Sequence, residues 1–150
     1  MAGLLEVVVL QVADAENAAE GGADRVELVG TMNEGGLSPE PALVATVRRA
    51  TSIQLRVMLR LRGGFGTDGG ETTRLKGLGS AYMDAGADGI VMGFLNGLSQ
   101  VDLEVCAESI ARWNVQGQPP LPASSAHTSR STWLSPLRKP MTMPSAPASM

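Results

Sequence analysis

Aromatic residues are scarce, at 3% of a 150-residue sequence that is 43% hydrophobic. A core built from this chain therefore relies on alanine, valine, leucine, isoleucine and methionine. The single cysteine excludes an intramolecular disulfide framework and a zinc site made only of cysteines, which favours a reducing, cytoplasmic setting. No uninterrupted apolar run approaches the roughly 20 residues of a membrane span, so the sequence predicts one domain with no integral membrane segment.

Acidic residues are missing from the last part of the chain, after Glu108. Residues 1–108 hold fifteen acidic and eight basic residues, a net charge of −7, whereas residues 109–150 hold four basic residues and no acidic one. A body of this sign is a poor match for a nucleic-acid backbone, and the basic residues that follow are too sparse for a polybasic patch. We therefore expect neither nucleic acid nor a membrane as a partner.

The composition changes abruptly after about residue 113. Residues 114–150 contain seven of the nine prolines and seven serines, with one valine and no isoleucine. Such a Pro/Ser/Ala-rich, low-complexity stretch has neither helical nor strand periodicity, and it predicts a disordered tail. Because acidic residues and apolar periodicity stop at one point, translation from a shifted reading frame is a second interpretation of this tail.

Residues 1–113 alternate between two types of segment. Short apolar runs rich in valine predict buried strands, and alanine-rich or amphipathic stretches between them predict helices. The predicted strands are Leu4–Leu10, Arg25–Val29, Gln54–Leu59 and Gly89–Phe94. The predicted helices are Val12–Glu20, a helix from Ser38–Pro39 to about Ala50, Thr72–Ala85, and Asp102–Trp113. This βαβαβαβα order predicts an α/β fold with a parallel sheet.

A weak internal repeat supports units of equal size. Ala18–Leu28 (AAEGGADRVEL) resembles Tyr82–Met92 (YMDAGADGIVM) at an offset of 64 residues. Both copies have a helix ending in glycine, an Ala-Asp turn and an apolar strand. Two βα units of equal length fit a barrel better than an open sheet.

Four segments together resemble the CutC copper-homeostasis family. They are LEVVV at Leu5–Val9, GGADRVELV at Gly21–Val29 with EGGLSP at Glu34–Pro39, VMLRLRGGF at Val57–Phe65, and GADGIVMG at Gly86–Gly93. The resemblance covers roughly residues 4–113. It implies a TIM-type (β/α) barrel that is cytoplasmic and commonly oligomeric, with copper binding and copper tolerance as the associated activities.

The chain departs from that family in two respects. A complete (β/α) barrel takes at least about 200 residues, so the matching part supplies only about the first four βα units. Family members with copper-ligand cysteines carry them on the first two strands, and the matching residues here are Val8 and Val29. Neither valine can bind a metal, so thiolate coordination of copper is not expected at these positions.

Charged residues on the predicted strands form the candidate site. Strand alternation places Glu6, Glu27 and Arg60 on faces that would point into a barrel, where the carboxylates would meet the arginine. Arg60 and Arg62 stand at the end of the third strand, at the C-terminal mouth of the predicted barrel. Barrel enzymes keep their sites at this mouth, so the two arginines are candidates for binding a small anionic ligand. Glu6 and Glu27 are candidate bases or ligands. A buried ion-pair network is an equally weighted interpretation of these four residues.

Several other features have simpler interpretations. The glycine-rich loop Gly63–Gly70 lacks the signature of a phosphate-binding loop and reads as a flexible βα loop. Glu34 reads as a solvated loop residue that could line the mouth. Cys106 lies on the apolar stripe of its helix and reads as a packed thiol.

Three functions remain open from the sequence. The first is a CutC-like role in copper homeostasis, and the second is a TIM-barrel enzyme acting on a small anionic substrate. The third is an inactive, truncated product. Because a four-stranded parallel sheet has two open edges, we also expect a homo-oligomer formed through these edges.

Overall fold

The computed structural model describes residues 3–110, which form a mixed α/β fold with strands and helices in strict alternation. The elements are β1 (Glu6–Val9), α1 (Val12–Glu20), β2 (Arg25–Leu28), α2 (Pro41–Ala50), β3 (Gln54–Met58), α3 (Gly69–Asp84), β4 (Gly89–Val91) and α4 (Leu103–Ile110). The tail predicted at residues 114–150 lies outside the described residues, as does the end of the last predicted helix.

Membrane-spanning length is not reached by any helix within residues 3–110.

The four strands form one parallel sheet in the order β1-β2-β3-β4. This order confirms the predicted alternation, because each helix returns the chain to the same end of the sheet before the next parallel strand begins. Consecutive helices contact one another, α1 with α2, α2 with α3 and α3 with α4. The helices therefore form a layer alongside the sheet.

The two faces of the sheet differ in polarity and burial. Alternate strand residues on the face that carries the core are completely buried: Val9, Val26, Leu28, Leu55 and Val57. The opposite face carries the intervening residues Glu6, Val8, Arg25, Glu27 and Arg56, which are half-buried. Because side chains alternate along a strand, one face is apolar and the other is charged.

The sequence repeat is also a repeat of hydrogen bonds. After α1 the Ala23 N–H donates to the Ala18 carbonyl at 3.0 Å, and after α3 the Ala87 N–H donates to the Tyr82 carbonyl at 3.0 Å. Both turns contain a glycine with positive φ, 83° at Gly22 and 97° at Gly86. These are glycine-terminated helix ends of one type, repeated at the 64-residue offset.

Each copy of the repeat also contains an aspartate that links two neighbouring segments of the sheet. The Asp24 carboxylate accepts the Leu5 N–H at 2.7 Å, and the Asp88 carboxylate accepts the Leu55 N–H at 2.7 Å. Arg48 donates to the same Asp88 oxygen at 2.9 Å. The two aspartates stand just before β2 and β4, at the amino ends of the strands, where side chains of such folds contribute stability.

We predict that Asp88→Ala destabilises the protein by about 1–2 kcal/mol, because the Leu55 N–H loses a charged hydrogen-bond acceptor and Arg48 loses its ion pair. Urea unfolding followed by circular dichroism measures the change. Asp84→Ala, at an exposed position at the end of α3, is the matched control. Equal stability of the two variants would contradict the assignment of this bond as a strand clamp.

Helix α2 begins later than the sequence predicts. Ser38–Pro39 was expected to start it, but Glu40 is the N-cap and Pro41 is the proline of the first turn. Ser38 instead bonds to the segment just after β3: its N–H donates to the Arg60 carbonyl at 2.8 Å and its Oγ accepts the Arg60 N–H at 2.8 Å. The second proline satisfies the helix start equally well, and this leaves Ser38 available for the tertiary contact.

Candidate functional site

Arg60 stands beyond the carboxyl end of β3, on a backbone position fixed from two sides. Its peptide group is held by Ser38 through the reciprocal pair of hydrogen bonds, which joins the loop after β2 to the loop after β3. The side chain is only 7% exposed. A charged residue this deeply buried requires hydrogen-bond partners or an opposite charge.

The guanidinium of Arg60 is only partly satisfied. Its Nη2 donates to the backbone carbonyl of Glu34, and its Cζ lies 5.2 Å from the centroid of the Phe65 ring. Its Nε is buried and has no hydrogen-bond partner among the described residues. A buried donor left unpaired costs about 1–3 kcal/mol, so an anionic oxygen that reaches it would recover this free energy.

The loop after β2 is shaped around this arginine. Glu34 has a φ of 57°, and it is followed by Gly35 and Gly36 with φ values of 79° and 102°. This left-handed turn directs the Glu34 carbonyl to Arg60, and the Glu34 carboxylate packs against the Cα of Gly63. Non-glycine residues in this region are uncommon and cluster at functional sites. Glu34 is therefore part of the mouth, whereas the sequence also left open that it is a solvated loop residue.

Arg62 is already paired with carboxylates. Its Nε lies 3.1 Å from the Glu71 carboxylate, and its Nη2 lies 3.6 Å from the Asp68 carboxylate. Glu71 is 3% exposed and also accepts a hydrogen bond from Thr67 at 2.8 Å. The Glu71 N–H, followed by the charge of Arg62, lowers the pKa of Asp68 below its ordinary value. The cation of Arg62 thus anchors the start of α3, and an anionic ligand would compete with two carboxylates for it.

Glu6 and Glu27 lie on the face predicted for them but not beside Arg60. Glu6 forms an ion pair with Arg25, its register partner on β2, and Glu27 stands in register with Arg56 on β3. Arg60 lies four residues beyond Arg56, about 13 Å along a strand at roughly 3.3 Å per residue. The expected contact of these carboxylates with Arg60 is therefore wrong. The face of the sheet was predicted correctly, but the position along the strands was not.

The charged face of the sheet carries two carboxylates and two arginines on neighbouring strands: Glu6, Arg25, Glu27 and Arg56. Burial raises the pKa of Glu27 above its ordinary value, and the charge of Glu6 adds to this effect, whereas Arg56 and Arg25 act in the opposite direction. Cross-strand pairs of opposite charge stabilise a sheet. Glu6 is thus paired with Arg25, and Glu27 lies near Arg56 and Arg25, so the neighbours of these carboxylates differ from the Arg60 and Arg62 of the network that the sequence left open.

The residues present do not fit a copper centre made of thiolates. Val8 and Val29, which the family resemblance matches to cysteine ligands, offer no ligand atoms, and Val29 is buried beside Gly36. Within residues 3–110, no group of three or more His, Cys, Asp or Glu side chains could hold a metal ion. Cys106 lies on α4 as a half-buried free thiol packed against the core.

A surface pocket elsewhere has a structural explanation. It is lined by Arg48–Ser52, between the end of α2 and the start of β3, and so lies at the opposite end of the strands from the mouth. Arg48 there donates to the carbonyls of Thr51 and Ile53 and to Asp88. Its guanidinium thus holds the chain between α2 and β3 through three hydrogen bonds, so the mouth is the better candidate site.

Sequence reasoning missed the contacts that Ser38 and Phe65 make with Arg60. Ser38 was interpreted as a helix cap, and Phe65 as one residue of a flexible loop. An exposed phenylalanine among five glycines in Gly63–Gly70 was the available signal, because an aromatic ring in such a loop needs something to pack against. The serine gave no comparable signal, since its contact depends on how two distant loops meet.

Repeated βα units around a parallel sheet, with a buried arginine at the carboxyl ends of the strands, define an α/β protein whose candidate site lies in its βα loops. The sequence profile of the CutC family matches residues 3–117. The chain belongs to the CutC family.

Two curated relatives and two crystal structures show the extent of this similarity. The human copper homeostasis protein cutC homolog is 38% identical over 112 residues, covering 72% of this chain and 40% of the relative. A family protein CutC from Xanthomonas campestris pv. campestris is 40% identical over 100 residues, covering 66% of this chain and 42% of the relative. The chain thus spans about two fifths of the length of these relatives.

The crystal structures agree with the fold. A copper homeostasis protein CutC from Streptococcus agalactiae superposes with a TM-score of 0.66 at 22% identity, covering 72% of this chain and 53% of that one. A structure described as a phosphonomutase from Burkholderia cenocepacia gives a TM-score of 0.51 at 20% identity, covering 72% and 46% of the two chains. At these identities the likeness concerns the fold alone.

Proposed function

We propose that this chain serves in cytoplasmic copper homeostasis as the first four units of a CutC-type (β/α) barrel, and that it binds a small anion at Arg60 rather than Cu(I) at thiolates. The copper role is supported by membership of the family and by the names of the curated relatives. The barrel is supported by the parallel β1-β2-β3-β4 order, the repeat and the fold likeness.

One observation carries the anion site: the buried Nε of Arg60 lacks a partner within residues 3–110, where the loops after β2 and β3 meet. A guanidinium presents donors in a rigid fork that matches carboxylate or phosphate oxygens. Arg62 can join this site only by separating from Asp68 and Glu71. An enzyme acting on an anionic substrate is the second candidate function, and its base would come from residues other than Glu6 and Glu27.

Inorganic phosphate is the probe for the anion site. At ten times its Kd it should stabilise the protein by about 1.4 kcal/mol, a rise in melting temperature of several degrees. Arg60→Met should abolish this rise, and Arg49→Met, exposed at the far end of α2, should keep it. Equal rises in wild type and Arg60→Met would refute the site.

Cu(I) titration under reducing conditions tests the other half of the proposal. Against a chromophoric Cu(I) chelator, we expect the wild-type chain to withdraw no stoichiometric copper, because Val8 and Val29 offer no ligand atoms. The double variant Val8→Cys and Val29→Cys should acquire one equivalent, since Val8 lies on β1 and Val29 directly follows β2, the adjacent strand. One tight Cu(I) in the wild type, lost in Cys106→Ser, would contradict the proposal.

A further inference from the structure

Tyr82 combines full burial with a polar atom that contacts a distant loop. The residue lies near the end of α3 and is 0% exposed, and its hydroxyl donates a hydrogen bond to the backbone carbonyl of Pro39. Burial raises the pKa of Tyr82 to about 12, while a hydrogen bond with the Ser38 side chain opposes this rise. The hydroxyl is therefore protonated at neutral pH, and it contacts two successive residues of the loop after β2.

The segment that Tyr82 contacts is the one that fixes Arg60. The Ser38 N–H donates to the Arg60 carbonyl at 2.8 Å, and the Ser38 Oγ accepts the Arg60 N–H at 2.8 Å. On another side, the Cα of Pro39 lies 2.9 Å from the place where a Cβ on Gly30 would stand. The segment is thus confined by the backbone at Gly30, by Arg60 and by the hydroxyl of Tyr82.

One face of α3 reaches both arginines of the mouth. Glu71, Leu75 and Tyr82 are buried, and their spacing of four and seven residues places them on one side of the helix. Glu71, at the start of this face, forms the ion pair with Arg62. Long side chains in a helix lean toward its N-terminus, so the Tyr82 hydroxyl is directed back toward the mouth, where α3 begins.

The repeat shows that the helix end itself does not need a tyrosine. At the offset of 64 residues, the position of Tyr82 corresponds to Ala18 on α1. The two backbones do the same, since the Ala18 carbonyl accepts from Ala23 as the Tyr82 carbonyl accepts from Ala87. The copies differ in the side chain, and only the second provides a hydroxyl. The phenol is therefore available for a role outside its own helix.

We propose that Tyr82 is a positioning residue of the anion site, because its hydroxyl holds the segment of Ser38 and Pro39 that fixes the backbone of Arg60. The inference rests on the anion site proposed above. Without this hydroxyl the buried Pro39 carbonyl loses a donor, and the segment is free to shift together with Arg60. A donor that is held in place before the ligand arrives binds more tightly, since less freedom is lost on binding.

Tyr82→Phe keeps the ring in the core and removes only the hydroxyl. The Kd for inorganic phosphate should rise about 3- to 10-fold, because one positioning hydrogen bond is lost. Measurement at a temperature where the variant is fully folded separates this loss from lower stability. Val26→Ala, which truncates a buried side chain on β2, is the control and should bind phosphate as the wild type does. An unchanged Kd in Tyr82→Phe, or equal weakening in Val26→Ala, would overturn the inference.

A double-mutant cycle with Ser38→Ala tests whether Tyr82 acts through this segment. Ser38→Ala removes the oxygen that accepts the Arg60 N–H, and it should weaken phosphate binding by itself. If Tyr82 acts through the same segment, the double variant should lose less affinity than the product of the two single losses. Losses that multiply would show that the two residues act independently, and this would overturn the positioning role.

NMR of the wild-type chain keeps the test decisive if Tyr82→Phe fails to fold. Tyr82 is the only tyrosine of the sequence, so its Cζ resonance is unambiguous. During titration with inorganic phosphate this resonance should shift with the same saturation as the Arg60 Nε–H. A saturating shift at Arg60 with Tyr82 unchanged would overturn the inference and leave the anion site intact. No saturating shift at either residue would overturn the anion site itself, and the inference with it.

Discussion

Leu55→Ala should destabilise the protein by about 2–5 kcal/mol, the range for truncating a fully buried leucine. Leu55 is 0% exposed on β3, which is paired with β2 on one side and β4 on the other. Its side chain packs in the apolar layer between sheet and helices, where the small share of aromatic residues leaves aliphatic packing to supply most of the stability. The loss would be a large part of the total stability of a small domain.

Chemical denaturation monitored by circular dichroism measures this loss. The matched control is Leu98→Ala, because Leu98 is 78% exposed and should change stability by no more than about 0.5 kcal/mol. A loss below about 1 kcal/mol for Leu55→Ala would show that the described face of the sheet is not the principal core. The two variants remove the same atoms, so the difference between them isolates burial.

Gly30→Ala should cost about 3 kcal/mol, at the upper end of the range for overpacking. A Cβ at Gly30 would lie 2.6 Å from the Ser38 carbonyl oxygen and 2.9 Å from the Cα of Pro39. Both neighbours are backbone atoms, so relief requires movement of the segment that holds Arg60 in place. The substitution should therefore weaken phosphate binding as well as folding.

Gly66→Ala is the control for this substitution, since a Cβ at that position meets nothing within 4 Å. It should preserve both stability and phosphate binding. The thermal-shift assay used for Arg60→Met measures both properties in one experiment. If Gly30→Ala left the melting temperature and the phosphate response unchanged, the close approach of Gly30 to Ser38 and Pro39 within the loop after β2 would be disproved.

The alternation of strands and helices could be predicted because each element carries its own signal. Valine-rich runs such as Leu5–Val9 and the glycine at each helix end act locally, and the structure places the corresponding elements within a few residues of the predicted bounds. The repeat was predictable for the same reason. Strand ends were predicted too long at Leu10 and Phe94, because hydrophobic residues continue into the loops beyond the last ladder bond.

The site could be predicted only as a face and an end of the sheet. Alternation placed Glu6 and Glu27 on the charged face correctly, but which arginine each carboxylate meets depends on the register between strands. Register is set by tertiary packing, and nothing along a single strand specifies it. The contact of Arg60 with the Glu34 carbonyl was equally hidden, because it depends on a left-handed turn in another loop.

The central claim, an anion site at Arg60, is tested most directly by NMR of arginine Nε–H groups during titration with inorganic phosphate. We predict that the Arg60 Nε–H resonance shifts with saturation, since this is the buried donor without a partner, while the Arg62 resonance stays in place because of its ion pairs. A saturating shift at Arg62 with Arg60 unchanged, or no saturating shift at either, would contradict the account.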